Sequence, residues 1–135
     1  VTEVGKAIVD ELGALIAIAG CSEDPLVGTN EFYAFEEYEL VFECGGVCVT
    51  AEDEWSTLRV TQNLSTLPNK IELSKIDPWR KVLGSPVKWT WSLFNHWGLM
   101  DGYQMEFETP DGLVDIQWIC VAPHLEIGVF RRIDI

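Results

Sequence analysis

Trp91-Ser92-Leu93-Phe94-Asn95-His96-Trp97-Gly98-Leu99-Met100-Asp101-Gly102-Tyr103-Gln104-Met105-Glu106-Phe107 decides the fold class. Two runs of alternating apolar residues, 88–95 and 103–108, flank residues 95–102, which are rich in Asn, Gly and Asp. Alternation of that period reads as strand, and the cluster between as a structured corner. Beyond Phe107, Thr109-Pro110-Asp111-Gly112 has the composition of a hairpin turn. A strand over 113–121 follows, with Val114, Ile116, Trp118 and Cys120 on one face, and then Pro123 and a last strand over 125–132.

The first half of the chain repeats this pattern. Residues 38–44 and 47–51 alternate around Gly45-Gly46, which predicts a β-hairpin with the glycines as its two central turn residues and Cys44 opposite Val47. That register groups Leu40, Phe42 and Cys44 with Val47, Val49 and Ala51, and puts Cys44 and Cys48 on opposite faces. Their C-x-x-x-C spacing is then no metal or disulfide pair. Residues 14–21 form an apolar run of strand length, 55–61 resume alternation, and 71–73 fit a short strand. A first helix is expected from Thr2, with Val4, Ala7, Ile8 and Leu12 on one face and Gly13 at its end. A second is expected over 78–83, capped by Asp77, begun by Pro78 and ended by Gly84.

The fold class is therefore mainly antiparallel β, with α+β as the alternative. Tyr38-x-Leu40-x-Phe42-Glu43 matches Tyr103-x-Met105-x-Phe107-Glu108, and Val47-x-Val49 matches Val114-x-Ile116. The chain reads as a single domain, 1–135, made of two similar halves, 13–61 and 84–133, of about four strands each. They are expected to pack as a sandwich or barrel-like unit.

At 135 residues, with 47% hydrophobic content, six Trp and six Phe, the chain can bury a core without staples. The formal net charge of −13 is uneven: residues 1–58 carry thirteen acids against Lys6, while residues 59–100 are net basic. Such a surface repels nucleic acid and anionic membrane, keeps a protein soluble, and steers basic partners inward. No segment nears the ~20 apolar residues of a membrane span. The four cysteines include no C-x-x-C, which fits buried thiols in a reducing, cytoplasmic setting. Residues 15–22 resemble a lipoprotein box ending at Cys21, but Glu3, Asp10 and Glu11 before it oppose the charge of an export signal.

W-x-L-x-N-x-x-G-x-x-D-G-x-Q-x-E-F, here Trp91, Leu93, Asn95, Gly98, Asp101, Gly102, Gln104, Glu106 and Phe107, resembles the carboxy-terminal motif of a family of small uncharacterised bacterial proteins. The resemblance extends over residues 13–133 and bears on the fold; it implies no activity. Members often carry Tyr after the motif glycine, where this chain has Leu99.

No residue set amounts to an active site. Cys21 or Cys120 with His96 or His124 lacks a nucleophile-elbow pattern. Glu36-Glu37 and Glu52-Asp53-Glu54 lack the spacing of a calcium loop, and two isolated histidines do not make a zinc site. Phosphate-binding glycine motifs are missing, and no cofactor is expected. Asn95 and Asp101 suit the locking of a corner through backbone groups.

The leading expectation is a non-enzymatic, immunity- or antitoxin-like module, monomeric or homodimeric, whose acidic face covers a basic protein. Glu36, Glu37, Glu52, Asp53 and Glu54, with Asn95, His96, Trp97 and Asp101, are the expected partner-binding residues. The alternative is a small-ligand binder or minor enzyme with a pocket between the halves, lined by Trp89, Trp91, Trp97 and Trp118.

Overall fold

Period-two alternation over most of the chain becomes antiparallel strand pairing. The computed structural model describes residues 4–24, 35–52, 56–121 and 124–131. In chain order these form α1 (Lys6–Leu12), β1 (Leu15–Ser22), β2 (Glu37–Phe42), β3 (Gly45–Glu52), β4 (Thr57–Thr61) and β5 (Asn69–Glu72). The second half follows as α2 (Trp79–Val82), β6 (Val87–Phe94), β7 (Met100–Thr109), β8 (Gly112–Val121) and β9 (His124–Arg131). One sheet has the order β4-β3-β2-β1-β5 and the other β6-β7-β8-β9. Each half is thus a short helix followed by a four-strand meander, with β5 added on the free side of β1. The two meanders are separate sheets and do not close into a barrel.

The β2–β3 hairpin turns two residues earlier than the glycines suggested. Phe42 pairs with Gly45 and Leu40 with Val47, so Glu43 and Cys44 make the turn. Three hydrogen bonds hold it there: Glu43 N donates to Ala14 O, Cys44 N donates to Leu12 O, and Ala14 N donates to Glu43 Oε1 at 2.7 Å. The glycines serve close approach instead. A Cβ on Gly45 would lie 2.9 Å from Leu12 Cδ2, and one on Gly46 2.6 Å from Leu64 Cδ2. Moving the turn by two residues slides the pairing by four, an even number that preserves side-chain parity. Leu40, Phe42, Val47 and Val49 therefore still share the core face, while Cys44 is exposed and Cys48 lies behind the sheet.

The helices also differ in detail from expectation. α1 buries Val9 and Leu12 and exposes Ala7, with Gly13 beyond its end at φ +80°. Thr2 is outside the described residues. Pro78 occupies the N-cap of α2, and Asp77 contributes ion pairs to Arg80 (3.0 Å) and Lys81 (3.9 Å) rather than a cap. Trp79, the first helical residue, is driven into the core at 2% exposure.

One hydrophobic cluster draws on both sheets and both helices. Its centre is a run of aromatic contacts that joins the sheets. Phe35 meets Tyr38 edge-on at 5.6 Å, Tyr38 meets Trp79 at 5.7 Å and Trp118 at 6.2 Å, and Trp79 stacks on Trp118 at 5.8 Å. Each such pair contributes about 0.5–1.5 kcal/mol beyond the area it buries. Two backbone links fix the sheets at their margins: Leu15 N donates to Ser85 O, and Leu125 N donates to Phe35 O at 2.9 Å. The hydroxyl of Tyr103 donates to Val4 O at 2.6 Å and ties the start of the described chain to the second sheet.

Candidate functional site

The residues expected to bind a partner fall into two groups at opposite edges of the second sheet. Glu36 precedes β2, and its carbonyl accepts from Ala51 N at 2.8 Å, while its carboxylate accepts from Glu23 N at 3.2 Å; Glu52, at the end of β3, lies 3.7 Å from Arg59. Asp53 and Glu54 lie outside the described residues. Glu37 is withdrawn behind the first sheet at 9% exposure, where Thr50 Oγ1 donates to its carboxylate at 2.7 Å. Because Phe35 is bonded to Leu125, the Glu36 group sits near the start of β9.

Asn95, His96, Trp97 and Asp101 sit at the opposite edge, in the corner between β6 and β7. Asn95 Oδ1 accepts from Trp97 N at 2.9 Å and Leu99 N at 3.2 Å, while its backbone N donates to Leu99 O. Gly98 takes φ +78°, a left-handed conformation in which a side chain is strained. Asp101 is the extra residue where the register slips: Phe94 pairs with Met100, and Leu93 with Gly102. A Cβ on Gly102 would lie 2.9 Å from both Ile119 Cδ1 and Leu93 Cδ1. The sequence motif is therefore a set of corner and packing devices. Trp97, at 76% exposure, and Phe94, at 60%, are its strongly exposed apolar groups, with His96 5.1 Å from the Trp97 ring.

Behind the first sheet, Cys21, Glu37, Glu39 and Cys48 form a second polar group, covered by the segment after β4. Glu39 accepts from Ser65 N at 2.6 Å and from Lys70 Nζ at 2.9 Å. Burial pushes the Cys21 and Cys48 thiols upward; a hydrogen bond to Ser65 offsets part of this at Cys21, and carboxylates add to it at Cys48. Thiols so held are protonated and poor nucleophiles. All four cysteines are unbridged. Among the described residues no three His, Cys, Asp or Glu side chains converge as ligands for a metal ion.

A concave feature lies at the junction of the halves. A pocket of about 490 Å³ opens between the lead-in to β2, the α2 region and the start of β9. Phe35, Tyr38 and Trp79 line it from within, Leu73, Ile76, Leu125 and Ile127 supply apolar walls, and Asp77, His124 and Glu126 supply polar groups. His124 Nε2 stands 3.9 Å from Glu126 Oε1. Burial pushes the Tyr38 phenol above its ordinary value, so it stays protonated. None of the four tryptophans expected in such a pocket lines it. Trp118 is behind Trp79 in the core, Trp89 and Trp91 pair with Glu106 and Gln104 on the far face of the second sheet, and Trp97 is on the corner.

The family model that matches spans residues 10–134, which include every pocket and corner residue. The chain belongs to DUF6334, a family of unknown function. No curated protein and no solved structure matches it. Within this DUF6334 chain, Phe35, Tyr38 and Trp79 are the candidate residues that sequence reasoning passed over, and His124 was weighed only as a base for a cysteine. Asp77-Pro78-Trp79 was the available signal, since a tryptophan beginning a short helix needs a surface to cover. No helix of the described residues is long and apolar enough to cross a membrane.

Proposed function

We propose that the protein is a non-enzymatic binding module that holds a small, largely apolar ligand at the junction of its two halves. The pocket carries this reading: its volume of about 490 Å³ falls within the range typical of ligand sites, and aromatic and aliphatic walls with a few convergent polar groups are the usual lining. On the polar side Asp77 is already paired with Arg80 and Lys81, so Glu126 is the group that favours a ligand whose polar end is cationic or donates hydrogen bonds. The protonated Cys21 and Cys48 thiols support binding over thiol catalysis.

Thermal-shift titration with small aliphatic and aromatic amines and their neutral counterparts tests the reading. A ligand present at 100 times its Kd raises stability by about 2.7 kcal/mol. A saturable rise in Tm that Ile76→Trp, placed at the pocket wall, abolishes is the expected result. No saturable rise with any member, or a rise that Ile76→Trp leaves intact, contradicts it.

A second reading is the acidic one, an immunity-like protein covering a basic partner in the cytoplasm. It is supported by the charge of residues 1–58 and by the unbridged cysteines. Neutralising Glu36 and Glu52 to Gln weakens such an association and flattens its salt dependence. Binding of a basic protein that ignores both changes removes this reading.

A further inference from the structure

We propose that the outer face of the second sheet binds a short, neutral saccharide chain, laid across the strands on a row formed by Trp91, Gln104, Gln117 and Phe130. None of these four residues lines the junction pocket.

Strand alternation places the row. Tyr103, Met105 and Phe107 on β7, and Ile116 and Trp118 on β8, turn into the core, so Gln104 and Gln117, which pair across these two strands, face outward. Trp91 pairs with Gln104 on one side, and Gly128 pairs with Gln117 on the other. Gly128 brings no side chain, and the ring of Phe130 takes its place: a Cβ on Gly128 would lie 3.2 Å from Phe130 Cε2. Two aromatic rings therefore bracket two amides across all four strands, a span of about 14 Å at the usual strand spacing. Trp89 extends the aromatic wall along β6 and, like Phe130, is half exposed. Leu93 and Ile119 close one end of the row by meeting over Gly102.

Hydrogen bonds hold the two amides in one orientation. Gln117 Nε2 donates to Gln104 Oε1 at 2.9 Å, and Gln104 Nε2 donates to Asp115 Oδ2 at 3.1 Å. Asp115 is 9% exposed, so a buried carboxylate anchors a chain whose other members reach the surface. The donors run one way, from Gln117 to Gln104 to Asp115. Each amide nitrogen keeps a second N–H, and Gln117 keeps its carbonyl oxygen as an acceptor.

The chemistry of the row selects its ligand. A hydroxyl group both donates and accepts, which matches a surface that offers N–H and C=O side by side. The C–H face of a sugar ring is apolar, with its hydrogens slightly positive, and it meets the negative face of an indole or phenyl ring. A wholly aliphatic ligand would cover the amides without giving them partners. An anionic ligand would be repelled by the net charge of −13. A cationic one finds, in two neutral amides, no charge to pair with. A neutral chain of sugar rings meets all of these conditions.

Titration of the isotope-labelled intact chain with short unbranched oligosaccharides of glucose, xylose, mannose and N-acetylglucosamine, followed by chemical shifts, tests the proposal. The expected result, with at least one of these sugars, is saturable shifts of the Trp91 indole and of the Gln104 and Gln117 side-chain amides. Trp91→Ala, on the edge strand β6, weakens that binding roughly tenfold or more. Gln117→Leu keeps the bulk of the side chain and removes its amide, so it weakens binding while Tm moves little. Ile76→Trp, placed in the junction pocket, leaves saccharide binding unchanged. No saturable shift with any of the four sugars overturns the proposal. So does binding that Gln117→Leu, or a folded Trp91→Ala, leaves intact, and so does binding that Ile76→Trp abolishes. Shifts on this face that follow protein concentration and ignore sugar assign it to a second copy of the chain and overturn the proposal as well.

Discussion

The corner at residues 95–101 and the pocket beside Trp79 are built in opposite ways. The corner concentrates its instructions in adjacent residues: Asn95 binds the backbone of Trp97 and Leu99, Gly98 supplies a left-handed turn, and Asp101 is the bulge. The pocket is assembled from Phe35, Tyr38, Trp79 and Leu125, which meet only when two sheets pack. A dense local motif here marks backbone geometry. Concavity, which ligand binding needs, arises where distant segments join.

Substitutions at the two places should therefore act differently, and Gly20 should show the largest effect. A Cβ there would lie 2.4 Å from two ring atoms of Phe35, a buried ring bonded into the junction. Gly20→Ala should cost about 3 kcal/mol, at the upper end of overpacking effects, and should also move the ring out of the pocket wall. Denaturant unfolding measures the first and fluorescence of Trp79 reports the second. A cost below about 1 kcal/mol would show that the junction yields more easily than close packing allows.

Alkaline pH should come next. Burial raises Tyr38, Cys21 and Cys48 above their ordinary values. A group raised in the folded state contributes stability that is complete below its unfolded value and is lost above it. Stability should hold to about pH 8, fall once unfolded thiols ionise near pH 8.5, and fall further above about pH 10 as unfolded tyrosine does. Cys48→Ala should flatten the first part and Tyr38→Phe the second.

Within the corner the effects should be small and graded. Asn95→Ala removes the acceptor of two backbone N–H groups near solvent and should cost about 1 kcal/mol in thermal unfolding. Trp97→Ala, at an exposed site, should change stability by less than about 0.5 kcal/mol. A large loss at Trp97 would show that the corner is part of the packed structure; loss of partner binding with stability intact would favour the acidic reading.

The contrast also explains what the sequence made legible. Strand alternation, the 109–112 turn, the helix before Gly84 and the two-half plan rest on local periodicity, and the structure carries all four. The β2–β3 turn misled because Gly45 and Gly46 answer to Leu12 and Leu64, residues apart in sequence. Glu37 misled for a related reason: adjacent acids in sequence point to opposite faces of a strand, so Glu37 turns inward to Thr50 while Glu36 stays near the surface. The pocket residues were hidden because the Phe35–Leu125 bond spans most of the chain. Tryptophan count pointed to aromatic recognition in general, and only the packing of Trp79 on Trp118 distinguishes a core tryptophan from a wall.

Amide and indole chemical shifts of the isotope-labelled chain, followed through a fragment screen, test most directly where this protein binds. Ligand binding at the junction predicts saturable shifts at Phe35, Tyr38, the Trp79 indole and residues 124–127, with the amides of residues 95–101 unmoved. Shifts confined to the corner, or a screen that moves neither region, would contradict it.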